Sequence, residues 1–171
     1  MRALTNLSAD DANKARIGSE EGVATLVQAS LAHGDSAAVQ AGVAGALRNL
    51  SVSAEVAQLI IDRDGIRALI AAATTHAANA IVQAGHSTCS HRRIAMPQAG
   101  HVAIVSTSTN AIVQAGVAGA LRNLSASEAT RQVILAGGGM EALTMATQLH
   151  ADNERLQAEV AGALRNLAGE A

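Results

Sequence analysis

ALRNLS, Ala46 to Ser51, recurs at Ala120 to Ser125, returns as ALRNLA at Ala163 to Ala168, and has a worn copy, ALTNLS, at Ala3 to Ser8. Aligned on their asparagines, the copies step by 43 from Asn6 to Asn49, by 74 from Asn49 to Asn123, and by 43 from Asn123 to Asn166. A period in the low forties is that of helical units that stack, each burying a face on its neighbours. The register extends well beyond the motif. Gly22, Gly65 and Gly139 obey the steps of 43 and 74, as do Leu26, Leu69 and Leu143, and His33, His76 and His150. The repeat, rather than any single motif, organises the chain, and it points to binding.

Composition sets the limits. The 171 residues have a typical apolar fraction, 49%, but no Phe, Tyr or Trp, so the core has to be built from Leu, Ile, Val, Met and alanines. Aromatics bury ~150–250 Å² each, so a core without them implies modest stability. A net charge of −2 argues against a general nucleic-acid binder. The beginning, MRALTNLSADD, lacks the long apolar core of a signal peptide, and no stretch approaches the ~20 apolar residues of a membrane span. A single cysteine, Cys89, agrees with a reducing compartment. The expectation is a soluble intracellular protein, cytoplasmic or nuclear, with no membrane partner.

Within a unit, three segments carry helical spacing. AEVAQLIIDRDG places Val56, Leu59 and Ile60 on one face and closes on Gly65, which suits a left-handed helix end. GIRALIAAATTH follows with Ile66, Leu69 and Ile70 in a stripe. His76 then falls at its C-terminal end, where positive charge suits the helix dipole, and His33 and His150 read the same way. Stacked units would hold these histidines ~10 Å apart, so they are not expected to be ligands. The third segment, Ser36 to Ser51, repeats Val39, Val43, Ala46, Leu47 and Leu50 at spacings of three and four. A step of two residues from Leu47 turns Asn49 toward solvent. Gly42 and Gly45 interrupt this helix at about 1 kcal/mol each relative to alanine, unless a close backbone approach compensates.

The three helices per unit, the long third helix ending in ALRNLS or ALRNLA, and the glycine between the first two resemble the armadillo repeat. The resemblance covers most of the chain. It implies an all-α fold, a right-handed armadillo-like α-solenoid of about three three-helix repeats with a long loop insertion. First helices fall near 10–20, 54–64 and 127–136, second helices near 22–33, 66–76 and 140–150, and third helices near 36–51, 110–125 and 152–168. A truncated tail at 1–8 precedes units at 9–52, 53–125 and 126–171. Both ends are expected to expose apolar surface, as in a piece of a longer array or a self-associating protein.

The second unit is interrupted. NAIVQAG occurs at Asn79 to Gly85 and again at Asn110 to Gly116, 31 residues on, which accounts for the long middle step. The insertion lies near 79–109, equivalently 86–116, and removing His86 to Gly116 brings the middle step back to 43. It holds the only proline, Pro97, the only cysteine and three of the six histidines. The expectation is a disordered loop, with strand character in HVAIV and the second NAIVQAG copy starting the third helix. A metal site of His86, Cys89, His91 and His101 is the sharper alternative, weak because closed zinc sites use paired ligand spacings. No other cofactor is indicated.

The armadillo likeness implies that third helices line a concave groove in which the matched asparagine holds the backbone of an extended peptide. Asn49, Asn123 and Asn166 match it, and Asn6 would add a fourth rung. An amide can both donate to and accept from a peptide group; the alternative is hydrogen bonding at the helix end. Arg48, Arg122 and Arg165 precede the asparagines and would either favour an acidic ligand or pair internally with acids such as Glu55. In importin-alpha a tryptophan one turn before the asparagine clamps lysine stems. Here that position is Gly45, Gly119 or Gly162, so the likeness is nearer to scaffolds of the beta-catenin type. No phosphate loop, paired-histidine motif or nucleophile elbow suggests an enzyme, and GGGM at Gly137 to Met140 falls at a helix junction. The expected function is noncatalytic binding of a peptide or partner protein.

Overall fold

A computed structural model of the chain describes residues 11–89 and 99–169, and all regular structure among them is helical. In chain order the helices are α1 (Asp11–Ile17), α2 (Glu20–Ala32), α3 (Ala37–Leu50), α4 (Ala54–Asp62), α5 (Gly65–Cys89), α6 (Ala99–Leu124), α7 (Glu128–Ala136), α8 (Gly139–Leu149) and α9 (Glu154–Leu167). Short polar side chains start several of them. Ser19, Ser36 and Ser127 accept from the backbone N–H three residues on at 3.2, 3.4 and 3.2 Å, and Asn153 accepts from Leu156 at 3.1 Å. Each cap satisfies one of the amide donors that a first helical turn leaves unpaired.

The helices ending in LRNL lie side by side, α3 against α6 and α6 against α9, while α5 contacts both α2 and α8. The two rows meet through α2 with α3, α5 with α6, and α8 with α9. Leu26, Leu47, Leu69, Leu121, Leu143 and Leu156 are buried in one continuous cluster between them. Polar groups fasten the rows as well. Gln40 Nε2 donates to the carbonyls of Ser30 and His33 at 2.7 and 3.0 Å, and Gln157 Nε2 to those of Thr147 and His150 at 3.1 and 3.0 Å. Gln114, at the same repeat position, donates to Ala73 O at 2.8 Å. Gln40 and Gln157 satisfy carbonyls that the ends of α2 and α8 leave open, whereas Gln114 reaches a carbonyl inside the longer α5.

The close approach that glycine permits occurs between α3 and α6. A Cβ on Gly116 would sit 2.9 Å from Ala44 Cβ and 3.3 Å from the Gly45 nitrogen, so the missing side chain allows the backbones to meet. Gly65 serves differently from its expected left-handed turn. That conformation belongs to the residue before it, Asp64 with φ 59°, and to its counterpart Gly138 with φ 84°. Gly65 instead opens α5 with its Cα against the end of α4, where a Cβ would lie 2.7 Å from Ile60 O.

The interrupted unit departs most from expectation. α5 continues past His76 to Cys89, and α6 begins at Ala99 rather than near 110. The first NAIVQAG copy lengthens α5, and the second lies in α6 and leads into VAGALRNL. HVAIV, read as strand-like, is helical, and the loop expected over most of the insertion is replaced by helix. Sequence chemistry supplies the reason. His33 is followed by Gly34, Asp35 and Ser36, which stop one helix and cap the next, whereas His76 is followed by Ala77 and Ala78, which propagate a helix. Residues 90–98, with Pro97 among them, lie outside the described residues, as do the tail residues 1–8.

This extension separates the three histidines. His33 and His150 cap their helices as expected, but His76 lies inside α5, buried, with Nε2 3.0 Å from Gly34 O. The counterpart of Gly34 one unit later is Ala77, whose backbone is taken up in α5. His150 Nε2 is accordingly buried with no hydrogen-bond partner among the described residues, and desolvation holds its pKa below the usual histidine range.

Candidate binding groove

The row α3, α6, α9 presents a cleft of about 520 Å³. Its lining is mostly small: Ala41 and Gly45 from α3, and Ala111, Ala115 and Gly116 from α6. Ile112 stands among them, 57% exposed. Arg48 and Asn49 close one side, and Asn153 and Arg155 at the start of α9 close another. Small residues thin the helix surfaces, while the amphipathic spacing that buries Leu47 and Leu121 leaves this opposite stripe outward.

The arginines lie along the same row, over Gly119 and Gly162. A Cβ on Gly119 would strike the Arg48 side chain, and one on Gly162 would lie 2.8 Å from Arg122 Cδ. Each arginine therefore crosses the next helix through space its glycine leaves open. Glu159, on α9, receives both. Arg48 Nη2 pairs with Oε1, and Arg122 Nη1 donates to Oε2 at 3.2 Å. The Glu159 side chain is only 10% exposed, and a carboxylate so desolvated requires this double compensation. The internal acid is thus Glu159, two helices away from Arg48; Glu55, considered as a partner from sequence, forms no ion pair among the described residues. Arg165 is exposed and has no ion pair among the described residues.

The asparagines are turned to an internal task. Asn123 Nδ2 donates to Arg48 O at 3.0 Å and to Ser51 Oγ at 3.2 Å, and Asn166 Nδ2 donates to Arg122 O at 3.0 Å. Each reads backbone, but the backbone of the preceding unit, joining its helix end to the next helix. Asn49 is half-buried rather than fully turned to solvent, and it is engaged as well. Asn6 lies outside the described residues. The glutamines Gln40, Gln114 and Gln157 were not singled out from sequence, although they recur at the same steps of 74 and 43.

Among the described residues no group of three or more His, Cys, Asp or Glu could hold a metal ion. His91 and the side chains of His86, Cys89 and His101 lie outside them. No helix among the described residues is long and apolar enough to cross a membrane. Compared with known proteins, the chain matches no family model and no curated protein.

Proposed function

We propose that the chain is an armadillo-like α-solenoid, built of the three units read from its sequence, and that it acts as a noncatalytic module binding an extended peptide or peptide-like segment of a partner protein along α3, α6 and α9. The observation that carries this reading is the cleft itself: exposed Ile112 on a floor of alanine and glycine, flanked by Arg48, Asn49, Asn153 and Arg155. An apolar anchor with a few polar groups around it suits a chain laid across it. Asn123 and Asn166 donate internally, so their part in peptide binding is that of acceptors, Oδ1 receiving a peptide N–H. A cleft this small supports weak, transient binding of a single short ligand.

The test is selection of binders from a random peptide library, followed by anisotropy titration of the selected peptides against the wild type and Ile112→Asp. Ile112 is exposed, so the substitution leaves the core intact. The reading expects Ile112→Asp to weaken binding by about tenfold or more. Failure to select any peptide, or equal binding by the folded variant, overturns it.

A further inference from the structure

Glu159 breaks the pattern of its own repeat. At steps of 74 and 43 its position is Gly42, then Gly116, then glutamate. Only the third unit places a side chain there, and that side chain reaches the guanidinium groups of both preceding units. We propose that Arg48 and Arg122 form a carboxylate-binding subsite of the groove, that Glu159 fills it in the free chain, and that an aspartate or glutamate of the bound peptide displaces Glu159. This rests on the reading of the groove as a peptide-binding surface.

The geometry shows what the arginine pair accepts. Each carboxylate oxygen of Glu159 meets a different guanidinium, so the two arginines together bind one carboxylate through both oxygens. The subsite opens to the ligand, because Arg48 lines the cleft itself and the Arg122 side chain is 46% exposed. Glu159 extends from a regular helix, and its side chain can rotate away without disturbing the α9 backbone. The charge balance favours replacement by another acid. The trio of Arg48, Arg122 and Glu159 carries one net positive charge, Arg155 adds another inside the cleft, and Arg165 adds a third farther along the row. An acidic side chain that takes over the pair exchanges one paired carboxylate for another, while Glu159 regains water. The internal acid then behaves as a tethered competitor, present at a high effective concentration. It admits a carboxylate and gives a neutral or basic side chain no equivalent compensation for freeing the arginines.

The experiment titrates fluorescein-labelled decaglutamate, with decaserine and decalysine as controls, against wild type, Glu159→Gln and Glu159→Asp, each checked for helicity by circular dichroism. The expected result is a gain on the order of tenfold in decaglutamate affinity for Glu159→Gln, lost at high salt and absent for decaserine. Glu159→Asp, whose shorter side chain reaches the pair less well, is expected to gain less and serves if the glutamine variant does not fold. Unchanged or weaker decaglutamate binding by a folded variant overturns the proposal, as does the unfolding of both, which would make Glu159 a structural strut. The library-selected peptides, titrated alongside, separate the failures: their retention of Ile112-dependent binding leaves the groove standing while the subsite falls.

Discussion

Individual polar side chains divide their hydrogen-bonding groups between the fold and the cleft. Asn123 spends its donor on the end of α3, so Asn123→Ala is expected to destabilise the chain by about 1–2 kcal/mol in chemical denaturation, independently of any ligand. A purely ligand-facing asparagine would leave stability unchanged. His150 sets the response to acid. Its folded-state pKa is depressed while the unfolded chain takes up the proton near the ordinary value of about 6.5, so its neutral form supports the fold fully above that pH. Stability is lost as pH falls from about 6.5 through the depressed folded value, because the unfolded state then binds more protons. Urea titrations at pH 7.5 and 5.5 check this, with His150→Leu expected to flatten the difference. The asparagines and histidines were legible in sequence as repeat positions, but their partners were not. Arg48 O and Gly34 O are backbone atoms of a neighbouring unit, and a carbonyl leaves no mark in a residue pattern.

At the scale of the element, the junction between α4 and α5 shows how two adjacent residues divide one geometric demand. Asp64 holds the positive φ, and Gly65 supplies the absence of a side chain beside Ile60 O. Asp64→Gly is therefore expected to stabilise by about 0.5–1 kcal/mol, and Gly65→Ala to destabilise by about 2 kcal/mol or more, both read as shifts in denaturation midpoint. If the turn lay at Gly65 itself, the first substitution would bring no gain. The glycine was visible from its recurrence, yet its neighbour carried the backbone conformation, which only coordinates reveal. The helices outside the interrupted unit were legible to within a few residues because apolar periodicity and the recurring Gly22, Gly65 and Gly139 agree on them. α5 and α6 were not, because the change from Gly34-Asp35-Ser36 to Ala77-Ala78-Asn79 is small in sequence and decisive in propensity.

At the scale of the whole molecule, the insertion and the groove are connected through α6, whose N-terminal half belongs to the insertion and whose C-terminal half forms the middle of the cleft. Deleting His86 to Gly116 joins the first NAIVQAG copy to VAGALRNL, and combining the deletion with Ala77→Gly, Ala78→Asp and Asn79→Ser restores the stop-and-cap residues of the first unit, so that the second helix ends near His76 and the carbonyl at position 77 is freed for His150. The combined variant is expected to remain folded, to melt no lower than the full chain, and to lose the acid sensitivity assigned to His150. A variant that unfolds, or that keeps the full chain's pH dependence, would show that the insertion supports the array rather than interrupting it. NMR chemical-shift mapping with a library-selected peptide on the isotopically labelled full chain shows whether the α3, α6, α9 row is the surface that a peptide occupies. The largest shifts are expected at Gly45, Ile112, Ala115 and Gly116, with α4 and α7 unmoved. Shifts concentrated on α4 and α7, with the cleft residues unchanged, would contradict binding along that row.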